Sequence, residues 1–134
     1  MAYLEPILGG IAAFLLGFAW YTFLFGKVWQ KETGITDEQA QEGMAITHGG
    51  ALLMMIILSF GVNYIINMHT LAEQTFSHGA FHGAMAAAGF AVPLMIINYL
   101  YQKKSFMLML IDGLYGICFL ALSGGVMAAL KLGV

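Results

Sequence analysis

Charged residues divide the chain into four long uncharged stretches. Twenty-one residues separate Glu5 from Lys27, thirty separate Glu42 from Glu73, and residues 74–102 carry no Asp, Glu, Lys or Arg. The last stretch, 105–130, is broken only by Asp112. A helix needs about 20 apolar residues to cross the hydrocarbon core of a bilayer. The pattern therefore predicts an all-α integral membrane protein. It has one domain over residues 1–134, a compact bundle of four transmembrane helices at about 6–27, 45–67, 77–101 and 105–130. Pro6 suits a first helical turn, where its missing N–H would have no partner anyway. The short connections near 68–76 and 102–104 make neighbouring helices antiparallel. Pro93 removes the hydrogen bond to the Gly89 carbonyl and crowds it, which predicts a kink in the third helix. A structural bend is favoured there over a gating hinge, because such prolines are tolerated in membrane helices.

The first connection, residues 27–43, is the one sizeable hydrophilic segment. Thr36 followed by Gln39 reads as a capping box, predicting a short helix from Asp37 that runs straight into the second span. Lysines set the orientation. Lys27, Lys31, Lys103 and Lys104 lie in the first and third connections, against Lys131 alone at the other side. The first and third connections are expected in the cytoplasm and both termini outside. Trp20, Tyr21 and Trp29, with Tyr99 and Tyr101, are placed as interfacial aromatic anchors.

Composition narrows the function classes. Charged residues make up 9% of the chain, against roughly 25% in soluble domains. There is no arginine and no basic run, which argues against a nucleic-acid partner. The single cysteine, Cys118, has no partner in the chain and reads as a small hydrophobe within a span.

Inside lipid, helices associate by close backbone approach at small residues spaced i, i+4. Gly9, Ala13 and Gly17 make one such face, Gly79 and Gly83 a second, and Gly125 and Ala129 a third. These faces serve the bundle or a homo-oligomer. A faint internal echo joins Leu58-Ser59-Phe60-Gly61-Val62 to Leu122-Ser123-Gly124-Gly125-Val126 at an offset of 64, with Thr47-His48-Gly49 matching Ile111-Asp112-Gly113. It suggests parallel two-helix repeats.

Two polar clusters are candidates for chemistry. At the outer side stand His69, Glu73, His78 and His82. The spacing i, i+4 within each pair places two side chains on one helix face, as in helical zinc sites. Imidazoles with a carboxylate suit zinc, and nearby Met68 extends the option to copper. The same residues suit a pH-sensitive cluster, or interfacial histidines bonded to backbone, water or headgroups. Toward the cytoplasm, Asp112 is the acid well inside a span, and His48, Asn98, Tyr115 and Tyr21 lie at comparable depth. An Asp112–His48 pair would form a proton or cation site; the alternative is a hydrogen-bonded lock between helices. No phosphate loop, haem-attachment motif or nucleophile elbow is present. Ser59 and Ser123 have no base near them in sequence.

The run Gly17-Phe-Ala-Trp20-Tyr21-Thr-Phe-Leu-Phe25-Gly26-Lys27-Val-Trp29, followed by Thr33-Gly34-Ile-Thr36-Asp-Glu, resembles the signature of a bacterial membrane family, domain of unknown function 1761. The resemblance extends to Ile97-Asn98-Tyr99-Leu100 and to overall length. It implies four spans and an inner-membrane location, and it carries no activity. Small multidrug exporters also have four helices but place a carboxylate within the first. Here Glu5 is read as preceding helix one, which argues against that mechanism. The sequence thus points to a non-enzymatic small membrane protein, expected as a homo-oligomer or an accessory subunit of a membrane assembly, with no cofactor required. The competing reading is a transporter or sensor of protons or metal ions, zinc or copper, built on Asp112–His48 or on the outer histidines.

Overall fold

The computed structural model describes residues 3–131. All regular structure among them is helical. Helix α1 (Leu4–Ala19) continues through a π turn, Trp20–Leu24, into a short helix α2 (Gly26–Thr33). Helix α3 (Asp37–Gln41) precedes α4 (Met44–Ile66). Helix α5 (Phe76–Ala86) passes through a second π turn, Ala87–Ala91, into α6 (Val92–Tyr101), and α7 (Phe106–Leu130) closes the bundle. Four segments are long and apolar enough to cross a membrane: Leu4–Leu24, Met44–Ile66, Phe76–Tyr101 and Phe106–Leu130. Each lies within a few residues of its predicted span.

Helix α7 is the centre of the bundle and packs against α1, α4 and α5. Missing side chains make this closeness possible. A Cβ on Gly83 would strike the Leu120 carbonyl, and one on Gly79 would strike the carbonyl of Gly124 and the Ala128 methyl. Gly9 and Gly17 of α1 lie against Ser123, Met127 and Tyr115 of α7, with Ala13 fully buried between them. Gly125 meets the Phe76 ring, whereas Ala129, its proposed companion, is exposed. That α7 face instead continues through Leu120, Gly124 and Ala128, because these residues face α5.

The repeat at offset 64 has a physical counterpart. Ser59 of α4 and Ser123 of α7 are both fully buried, and their hydroxyls hydrogen-bond at 2.7 Å. The Ser59 hydroxyl also lies 2.8 Å from the Met55 carbonyl of its own helix, so the pair is satisfied without water.

Several local expectations are corrected. Glu5 lies within the first turn of α1 and is buried, 3% exposed, so the first span does contain an acid. The argument that set this chain apart from exporters with a helix-one carboxylate therefore loses its premise. The capping box forms as expected: the Thr36 hydroxyl accepts from the Gln39 amide at 3.2 Å and Gln39 Oε1 from the Thr36 amide at 3.0 Å. Yet α3 does not run straight into α4. Glu42 is extended and Gly43 adopts a left-handed φ of 64°, which glycine tolerates and which turns the chain before Met44. At Pro93 the irregularity takes the form of a π turn, in which the Val92 amide donates to the Ala87 carbonyl five residues back. The wider turn, closed by the amide of the residue before the proline, accommodates the ring and its missing N–H.

Candidate functional site

Two polar groupings occupy opposite ends of the bundle. The first is built by the connection between α4 and α5. Residues 67–75 form turns rather than a helix, so His69 and Glu73 do not share a helix face. The Glu73 carboxylate instead folds back on Thr70, accepting from its amide at 2.9 Å and its hydroxyl at 2.8 Å. The Thr70 hydroxyl, then its amide, hold the Glu73 carboxyl below the usual carboxylate range, and the neighbouring His69 and His78 add to the effect. Glu73 is therefore anionic at neutral pH and fixes the turn. The buried side chain of Gln74 donates to the His69 carbonyl at 3.0 Å. Thr75 caps α5, its hydroxyl accepting from the His78 amide at 3.3 Å. His82 stands one turn along α5 from His78.

This scaffold gathers three of the four predicted residues. The rings of His69, His78 and His82 lie 4.5 Å apart, centroid to centroid, in all three pairings. One ring nitrogen from each falls within 4.8 Å of the others, and the Nε2 atoms of His78 and His82 are 3.0 Å apart. All three side chains are half-buried. Three imidazole nitrogens on a tetrahedral ion at about 2.0–2.1 Å would be about 3.3 Å from one another. The triad is thus within small side-chain rotations of a three-histidine metal set with an open fourth position. Without an ion, the His78–His82 contact requires one nitrogen to donate and the other to accept.

The second grouping lies at the lysine-bearing end, and its membership differs from expectation. Asp112 is not paired with His48. It accepts a hydrogen bond from the Tyr21 hydroxyl at 2.5 Å and another from the Tyr99 hydroxyl at 2.6 Å, one on each carboxylate oxygen. The π turn at Trp20–Leu24 carries Tyr21, while Tyr99 reaches across from α6. Tyr115 stacks edge-on against Tyr21 at 5.1 Å and donates to the Ala13 carbonyl at 3.0 Å. His48 is exposed and contacts the Phe14 ring edge-on. Asn98 is also exposed, and its amide donates to the Leu94 carbonyl one turn back. The first two turns of α4 are exposed throughout, which leaves His48 outside the hub, and Asn98 is spent on its own helix. The hub therefore ties α1, α6 and α7 together through the two oxygens of the Asp112 carboxylate.

The aromatic anchors are redistributed accordingly. Of the five, Tyr101 is exposed at 85%, whereas Trp20, Tyr21, Trp29 and Tyr99 are half-buried. Tyr21 and Tyr99 serve the hub, Trp20 packs on Phe25 and Tyr115, and Trp29 packs on Tyr21. The role of Tyr99 was missed by sequence reasoning. Its signal was present: a phenol thirteen residues before the intramembrane acid, across a tight hairpin.

No curated protein and no solved structure matches this chain. A family does, and its match runs from residue 4 to residue 128, through all four spans, the histidine triad and the aspartate hub. With that coverage the chain belongs to the family described as protein of unknown function DUF1761.

Proposed function

We propose that this membrane protein binds a divalent transition-metal ion, zinc by preference, through His69, His78 and His82. The observation that carries the reading is the convergence of three imidazoles from two separate elements, the α4–α5 connection and α5. Three neutral nitrogen ligands with an open position suit zinc. The carboxylate of Glu73, anionic beside the triad, offsets the charge of an arriving cation. Gln74 and Thr75 hold the two elements in register, so the site is assembled before the ion arrives. By the lysine asymmetry this end faces outward, which makes the protein a receptor or sensor for metal ions outside the cytoplasmic membrane.

The test is equilibrium dialysis of the detergent-solubilised protein against zinc, followed by elemental analysis. One zinc per chain is expected, and it is lost in His78→Ala and in His82→Ala. The chain has four histidines, so His48→Ala is the matched control and should retain the ion. Zinc retained by the triad variants at the wild-type level would refute the reading.

A second reading, an oligomer or accessory subunit, has one specific support. Residues 41–50, which include the first two turns of α4, are exposed throughout, and Thr47 and His48 are polar residues inside a span. Polar groups facing lipid favour a covering partner.

A further inference from the structure

At the lysine-bearing end an apolar groove of about 270 Å³ runs between the α1–α2 junction and the start of α7. Trp20, Phe25 and Val28 form one wall, and Met107, Leu110, Ile111 and Leu114 form the other, with no polar surface between them. From Met107 to Leu114 the groove descends about 10 Å along α7. That is most of the roughly 15 Å depth of one hydrocarbon leaflet, so the groove has the length and chemistry of a seat for an acyl chain.

Its rim is basic. Lys27 is adjacent to Val28, Lys31 follows Val28 by three residues, and Lys104 precedes Met107 by three, so each lies within about one helical turn of a wall residue. All are exposed. Among the described residues none of them makes an ion pair, although the same connection carries Glu32, Asp37, Glu38 and Glu42. The Asp37 carboxylate is occupied by Gln30 at 2.7 Å. An apolar slot and a cationic rim together describe one kind of occupant, a chain-bearing molecule with an anionic head. Basic pockets of this kind at the cytoplasmic surface bind anionic lipid headgroups.

We infer that the groove is a specific site for an anionic phospholipid, with one acyl chain between α2 and α7 and the phosphate among Lys27, Lys31 and Lys104. This site is independent of the histidine triad at the opposite end. The lipid then joins α2 to the bundle, where the contacts to α7 are otherwise few.

The two tryptophans of the chain, Trp20 and Trp29, both lie at this end, which gives a direct readout. A Trp29→Phe variant, leaving Trp20 as the sole tryptophan and excited selectively over the tyrosines, is reconstituted into vesicles of phosphatidylglycerol and phosphatidylcholine in equal amounts. Either one lipid or the other carries bromine on its acyl chains, and bromine quenches only on contact. One lysine–phosphate contact is worth about fivefold in local affinity, so brominated phosphatidylglycerol should quench Trp20 as if enriched at least about threefold over brominated phosphatidylcholine. The Lys27→Gln, Lys31→Gln, Lys104→Gln variant should quench equally with both. These positions are exposed, so the fold is retained, and circular dichroism checks it. Equal quenching in the Trp29→Phe parent would overturn the proposal. So would a preference that survives loss of the lysines, and so would weak quenching by both lipids, which would mean that protein covers the groove.

Discussion

A methyl group added at Gly83 should test the packing that positions both polar clusters. The ideal Cβ at Gly83 would lie 2.5 Å from the Leu120 carbonyl carbon and closer still to its oxygen, where ordinary contact begins at 3.4 Å. These are backbone atoms of a central helix, so neither can rotate away. Because the oxygen is the nearer atom, helices α5 and α7 must part by more than about 1 Å at this level, and a gap of that size forfeits about half or more of each dispersion contact it opens. Overpacking of this kind costs about 1–3 kcal/mol. Gly61→Ala is the control, because nothing lies within 4 Å of its added methyl. It should be neutral to about 1 kcal/mol more stable than wild type, because alanine favours a helix over glycine. The assay is unfolding by sodium dodecyl sulfate in mixed micelles, followed by circular dichroism. If Gly83→Ala and Gly61→Ala unfold at the same detergent fraction, the close approach of α5 and α7 is wrong.

Other consequences follow from the two ends and the middle of the bundle. Tyr99→Phe removes one of two hydrogen bonds to Asp112 and should destabilise the same transition by about 0.5–2 kcal/mol, less than Asp112→Ala, which removes both; equal effects would argue against a shared carboxylate. Ser59→Ala combined with Ser123→Ala should show a coupling of about 0.5–1 kcal/mol in a double-mutant cycle, the range of interhelical hydrogen bonds in membranes. Thr70→Val should return the Glu73 carboxyl toward its ordinary titration range, read by carbon NMR of labelled glutamate. The depressed carboxyl contributes stability above its ordinary range, and this is lost as pH falls through the folded-state value. Zinc affinity should fall with acidity, because protons compete for the imidazoles. His78→Ala should remove the metal-dependent part of that pH response.

The spans were legible because hydrophobic length is a one-dimensional property: charges at Glu42, Glu73 and Lys103 bracket the helices directly. The small-residue spacing showed that Gly79 and Gly83 form a close-packing face but not which helix they meet, since that choice depends on how carbonyls of α7 are presented. Asp112 was conspicuous as an acid in a span, yet its partners were not. Depth along parallel helices suggested His48, whereas the exposed start of α4 and the π turn at Trp20–Leu24 leave Tyr21 and Tyr99 as the partners. A π turn has no sequence signature comparable to a capping box, which is why Thr36 and Gln39 were readable and the reorientation of Tyr21 was not. The histidine pair at i, i+4 on α5 was readable for the same reason that helix periodicity is. The approach of His69 to that pair required the folded turn held by Thr70, Glu73 and Gln74, and the helical expectation for residues 69–73 was wrong.

The central claim is a metal centre made of His69, His78 and His82. X-ray absorption spectroscopy at the zinc edge, on protein loaded with one equivalent, tests it most directly. The account predicts three imidazole nitrogens at about 2.0–2.1 Å and one oxygen ligand, with the imidazole scattering reduced in His82→Ala. A first shell of oxygen alone, or imidazole scattering that persists unchanged in His82→Ala, would contradict it.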